Sequence, residues 1–145
     1  MDEMCLEMCK ITRWERGYRL ILDRVDFSVH KKEKVLIRGK IQEDTRQMFQ
    51  VASGVTAVQE GTYRISRAGI IPEQFPDLER MRAIDYLLLP LLTQGYNRKQ
   101  AWGRIKPMVK TSTLWEKRMI YADNLTAYEK GVLLSIAALS TEPEI

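Results

Sequence analysis

The stretch VLIRGKIQEDTRQMFQVASGV, Val35 to Val55, decides how the chain is read. A short apolar run leads to Gly39, and a polar loop follows. Met48, Val51, Ala52 and Val55 then recur at i, i+3, i+4 and i+7, the spacing of one buried helix face. Gly54 stands where a helix closes in a left-handed residue. Strand, glycine, loop and helix are the outline of a phosphate-cradling element. Yet the loop holds Glu43 and Asp44, and no Gly-Lys-Ser follows them.

Working outward, 145 residues fit one domain with a sizeable core. An apolar content of 45% and a charged content of 29% are those of an ordinary globule rather than a disordered chain. The net charge is +4, with both signs interspersed and no basic run longer than HKK. Nucleic-acid binding is therefore not indicated. The longest apolar run, YLLLPLL from Tyr86 to Leu92, is far short of the roughly 18 to 20 residues that span a bilayer. The opening MDEMCLEMCK lacks a signal peptide's basic start and long apolar stretch, so the expected location is the cytosol. Cys5 and Cys9, with His30 as the single histidine, read as reduced thiols before they read as a metal site.

Up to about Ser66 the chain reads mostly as strands. LEMCKI alternates, and LILDRVDFSV puts Leu20 and Leu22, then Val25, Phe27 and Val29, on period-2 spacing. KVLIR is a short buried strand, HKKEK before it a hairpin turn, and GTYRIS another strand opened by a glycine. AGIIPEQFPDL begins as an apolar strand and runs into a proline-broken loop. From Arg80 onward the chain is helical. RMRAIDYLLLPLLTQG is one helix that Pro90 kinks or ends near Gly95. NRKQAWGRIKPMVK opens at an Asn97 cap, weakened by Gly103 and Pro107. LTAYEKGVLLSIAALS carries Thr126 and Glu129 as a capping box before the stripe Val132, Leu133, Ile136 and Ala137. Strands with one helix among them, then a helical block, predict an α+β or α/β layer architecture.

In this order the segments resemble the first two-thirds of an ATP-binding cassette, the nucleotide-binding domain of ABC transporters. ILDRVDFSVHKKEKVLIRG resembles that family's second strand, turn and P-loop strand, with Lys32 where glycine is usual. VASGVTAVQEGTYRI resembles the segment after the P-loop helix. GIIPEQFPDLERMRAIDYLLLPLLTQGYNRKQA is similar to the Q-loop and following helices of the lipoprotein- and peptide-export branch. NLTAYEKGVLLSIAALSTEPEI resembles the signature motif and its helix. The similarity is nearly gap-free from Leu6 to Ile145. It implies a P-loop NTPase-like α/β fold: an N-terminal antiparallel β-subdomain with a partial parallel core sheet over residues 1–79, and an α-helical subdomain over residues 80–145.

The resemblance also marks where a nucleotide would sit, and most of those stations are altered. A P-loop needs glycines so that backbone amides approach the phosphates, a lysine for the outer phosphates and a hydroxyl for magnesium. Gly39 keeps the first glycine. Asp44 stands at the second, Thr45 at the lysine and Arg46 at the hydroxyl. Two unit charges about 5 Å apart at an effective dielectric of about 20 interact by roughly 3 kcal/mol. Replacing an attractive lysine by repelling carboxylates therefore disfavours a triphosphate by several such increments, and roughly 1.4 kcal/mol is tenfold in affinity. Arg46 and Lys40 do not sit where the lysine projects. Trp14 or Tyr18 occupies the place of the adenine-stacking aromatic, with a core role as the plainer alternative. The Q-loop glutamine falls on Glu73, with Gln74 one residue later. Thr126 stands for the signature serine or is an ordinary helix cap, while Ala127 and Tyr128 replace the glycines. The family's metal-ordering aspartate and water-polarising glutamate would follow Ile145, and its switch histidine has no counterpart here.

The expected function is thus a degenerate, non-catalytic cassette homologue, cytoplasmic and at most peripheral at the inner face of the membrane. Its partner would be a transmembrane permease or an intact cassette in a heteromeric assembly, with no direct membrane insertion. Pro76 to Leu92, with Tyr86, Leu89 and Leu92, would supply the contact surface unless those side chains are core. ATP and magnesium are implied by the family resemblance alone. The alternatives are an ATP-hydrolysing subunit completed by a second polypeptide, and a decaying gene fragment.

Overall fold

The computed structural model describes residues 3–16, 18–78 and 80–145. Residues 1, 2 and 17, and residue 79 at the junction of the two predicted zones, lie outside the described residues. The chain divides into two compact units. The first runs up to Ala68 and takes up Glu144–Ile145, and the second is Gly69–Pro143.

The first unit is built on an antiparallel sheet in the order β2-β1-β3, from β1 (Met4–Glu15), β2 (Arg19–His30) and β3 (Glu60–Ile65). Central β1 contributes Leu6, Met8 and Ile11 to the core, where Leu22 and Val29 of β2 join them. Helix α1 (Gln42–Ala52) buries Met48 and Val51 against the same cluster. Burying each such side chain contributes about 1.5–3 kcal/mol. The register of β1 on β2 shifts between the pairs Ile11–Val25 and Arg13–Leu22. Arg24 lies within that shift at φ 46°, and its amide donates to Thr12 Oγ1. The extra residue changes the phase of the apolar pattern from Leu22 to Val25. Helix α1 closes as predicted, with Gly54 left-handed at φ 73° and donating to Val51 O. Val55, expected on the buried stripe, lies past this turn and is exposed.

Two predicted strands differ. Neither Lys34–Arg38 nor Ala68–Ile71 belongs to a ladder, and Val35 and Leu36 are exposed. A run that is apolar on both faces becomes a buried strand only with neighbours on both edges, and no described strand lies beside either. The mixed α/β architecture stands. The runs assigned to a partial parallel core are chain without sheet pairing among the described residues. Likewise, a turn forms at Lys31–Lys32, with Glu33 N donating to His30 O, but the chain does not fold back as a hairpin. Near its other end the unit is closed by Arg67, whose guanidinium meets Glu144 at 3.0 Å and whose carbonyl accepts from Glu144 N at 2.8 Å.

The second unit is helical. Helices α2 (Ala83–Thr93), α3 (Arg98–Lys110) and α4 (Ala127–Ser140) bury Leu87, Leu88, Leu91, Ile105, Val109 and Leu133 in one cluster. Pro90 lies inside α2 without ending it, and Gly95 turns the chain at φ 92°. Helix α3 is intact through Gly103 and Pro107. It begins at a full capping box, with Gln100 N donating to Asn97 Oδ1 and Asn97 N donating to Gln100 Oε1. Trp102 and Trp115 stack with centroids 6.3 Å apart, and the Arg118 guanidinium lies 4.3 Å from the Trp115 ring.

Candidate functional site

In the first unit the site is the turn from Gly39 into α1. Helix α1 starts after Ile41 without a side-chain cap, so its first amides form an electropositive end. Anions stabilise such an end, and the chain supplies its own in Glu43 and Asp44. Asp44 Oδ1 lies 2.5 Å from Arg19 Nη2 on β2. Glu43 meets Arg46 at 3.3 Å and accepts from Gln47 Nε2 at 3.0 Å. Gln47 Oε1 in turn accepts from Arg13 Nε at 2.9 Å, and Arg13 donates to Ala57 O at 2.8 Å. Every carboxylate of the loop is thus held by a cation or amide of its own unit. An incoming phosphate would meet two negative groups that already have partners.

Gly39 is exposed, and the hydroxyl of Thr45 lies over its Cα. A Cβ added there would come within 2.2 Å of Thr45 Oγ1, and that hydroxyl donates to Ile41 O at 3.2 Å. Thr45, expected from the resemblance at the lysine position, is turned back on the loop backbone. Arg46, expected at the hydroxyl position, forms an ion pair with Glu43 one turn earlier. Trp14 sits at the hairpin end of β1, where Gln59 brackets its backbone by accepting from Trp14 N and donating to Trp14 O. Tyr18 is 84% exposed, and its chain neighbour Arg19 is the residue fastened to the first turn of α1. Both rings are accessible, so neither is the core aromatic that a strand position suggests.

The second unit carries the remaining stations. Gln74 and Glu73 are both exposed in the bend before Pro76. Thr126 caps α4, with its Oγ1 accepting from Glu129 N at 3.3 Å, while Thr126 N donates to Glu129 Oε2 at 2.9 Å. Glu129 is buried and paired with Lys117 at 2.5 Å. The Lys117 hydrogen bond, then the Thr126 amide, holds its carboxyl below the usual carboxylate range. Thr126 is accordingly occupied as a cap, and Tyr128 in the first turn of the helix is 70% exposed. Of the proposed contact residues, Leu89 is exposed. Leu92 and Tyr86 are half-buried on the core, and Tyr86 tilts against Phe75 with centroids 6.3 Å apart. Burial pushes the Tyr86 phenol up.

Sequence reasoning missed Arg19 and Lys117, which pair with Asp44 and Glu129, and Arg13, which donates to Gln47 Oε1. Arg19 and Asp44 are 25 residues apart, and no local spacing announces such a pair. Cys5 is buried and Cys9 exposed, and no group of three metal-ligating side chains occurs among the described residues. No helix among them is long and apolar enough to cross a membrane.

No family sequence model matches the chain, and no curated protein matches it in sequence. Solved structures do match. An ATP-binding subunit of an ABC transporter superposes at TM-score 0.81 and 17% identity, covering 96% of this chain and 63% of that one. An inward-facing transporter described as of the metal-chelate ABC type superposes at 0.79 and 12% identity, over 97% and 58%. A dimeric bacterial ABC transporter cassette gives 0.78 and 15%, over 95% and 70%. The chain therefore has the fold of an ABC transporter ATP-binding cassette, and it spans about 60% of the length of the first two of these.

Proposed function

We propose that this chain is a non-catalytic relative of the transporter cassettes, a cytoplasmic protein that assembles with a permease or with an intact cassette instead of hydrolysing ATP. The observation that carries this reading is the pairing of Asp44 with Arg19 and of Glu43 with Arg46 in the seat of a triphosphate. The positive charge there is already neutralised, and the residue at the lysine position is Thr45. At the second station, Thr126 is spent on its own helix, and Ala127 and Tyr128 stand where the resemblance expects glycines. Exposed Leu89 and the half-buried ring of Tyr86 on α2 supply apolar surface for the partner.

Isothermal titration of the full chain with Mg-ATP tests the non-catalytic part, and the expected result is no heat at millimolar nucleotide. Binding in the micromolar range would overturn it. Affinity purification of the tagged chain from its native cells tests the partner. A permease or cassette subunit recovered by wild type and lost on Leu89→Asp is the expected result, and recovery of no membrane-associated partner would count against it.

A further inference from the structure

Among the described helices α3 alone carries no acidic residue, and it carries five cations. Two of them are paired within the unit: Arg98 meets Asp85 at 2.7 Å, and Arg104 meets Glu142. The other three, Lys99, Lys106 and Lys110, are exposed and recur at i, i+7 and i+11. They therefore run in one line along the helix for about 16 Å. Gly103 lies within that line, with nothing within 4 Å of the place of a Cβ, so a second backbone can approach closely there. Half-buried Trp102 borders the line and is stacked on Trp115, with the Arg118 guanidinium against the Trp115 ring.

We infer that this line is a docking ridge for an acidic amphipathic helix. Read antiparallel, the partner helix carries carboxylates at j, j+4 and j+11, opposite Lys110, Lys106 and Lys99, and a small residue at j+7 over Gly103. Those four positions share one helix face. Carboxylate is the chemistry that the cations of α3 hold wherever they are paired. A line of lysines matches a line of acids on a facing helix as the flanking positions of a coiled coil match each other. Nucleic acid fits less well. The three groups are lysines, without the guanidinium fork that grips phosphate, and the nearby indoles are stacked on each other rather than open to bases. A lipid surface also fits less well, because the middle of the line is Gly103 and no apolar anchor belongs to it. A second copy of the same helix would set lysine against lysine. The inference does not use the α2 surface, and it is read without a permease or ATP, so each stands or falls without the other.

The test uses the full chain and three fluorescent, alanine-based helical peptides. The first has glutamates at j, j+4 and j+11 with alanine at j+7, and the second has lysines in place of the glutamates. The third has the composition of the first, with the glutamates spread around the helix. Anisotropy in dilute buffer is expected to show the first bound at least about tenfold tighter than the other two, a difference that shrinks with added salt. Lys99→Glu with Lys106→Glu and Lys110→Glu should invert the preference between the first two peptides. Gly103→Leu, which keeps all three lysines, should weaken binding of the first by about tenfold. Circular dichroism and the melting temperature show that each variant is folded. Failure of the first peptide to bind, or equal binding of the first and third, would overturn the inference. So would binding of the first that the triple substitution leaves unchanged, or retention of a single-stranded oligonucleotide or of phosphatidylserine vesicles where no peptide is held.

Discussion

Arg19 and Asp44 join the start of β2 to the first turn of α1 through an Nη2–Oδ1 contact of 2.5 Å. Both side chains are partly solvated, so the pair contributes about 0.2–1 kcal/mol and is screened by salt. A double-mutant cycle with Arg19→Ala and Asp44→Ala, followed by urea unfolding, should return a coupling of that size in dilute buffer. In molar salt the coupling should vanish. Neither variant should gain affinity for Mg-ATP, because removing Asp44 leaves Glu43 in place and supplies no lysine.

Glu129 gives a pH dependence with a definite sign. Its carboxyl is held below the usual range in the folded protein, chiefly by Lys117. Between the folded and unfolded values the unfolded chain therefore binds more protons, and stability rises with pH. The contribution is complete above the ordinary carboxylate value and is lost as pH falls through the lower folded value. Thermal melts of wild type and Glu129→Gln should differ at pH 7, and the difference should close as the pH falls through the lowered folded value.

Gly103 in α3 and Gly131 in α4 have open space around the position of a Cβ. Each occupies an exposed helix interior, where glycine is about 0.8–1.0 kcal/mol worse than alanine. Gly103→Ala and Gly131→Ala should each raise stability by up to that amount, and together the effects should add, as measured by the denaturation midpoint.

Gly61 behaves in the opposite way. At φ 94°, a Cβ there would lie 2.6 Å from Lys10 O and 2.7 Å from Cys9 O, both backbone atoms of the central strand. Gly61→Ala combines left-handed strain with a clash that no rotamer relieves. It should cost more than about 1–3 kcal/mol, visible as a lowered melting temperature and faster exchange of β1 amides.

Much of the fold was legible because its signals are local. The change of phase between Leu22 and Val25 is visible in the sequence, and Arg24 at φ 46° is its cause. The Thr126–Glu129 box and Gly54 were equally local. Lys32, where the resemblance to transporter cassettes led one to expect glycine, adopts φ 69°, the conformation in which glycine is free of strain. What could not be read depends on residues distant in sequence. Val35–Ile37 looks like a buried strand because its composition matches one, but burial requires neighbours that composition does not specify. The ion pairs of Asp44 and Glu129 are likewise tertiary. The sequence shows two carboxylates in the loop, and only the fold shows that Arg19 already holds one of them.

Arg67 and Glu144 carry a topological consequence. Their main chains touch, so the polypeptide leaves the sheet-bearing unit and re-enters it at a single point. The 75 residues between Ala68 and Glu144 form a continuous helical body with both of its own helix-starting boxes. Such an insertion can be shortened, exchanged or excised, and the gap bridged by a tight turn, with little change in loop-closure entropy for the host. The helical part can therefore vary in length or sequence while the sheet of the other unit keeps its register.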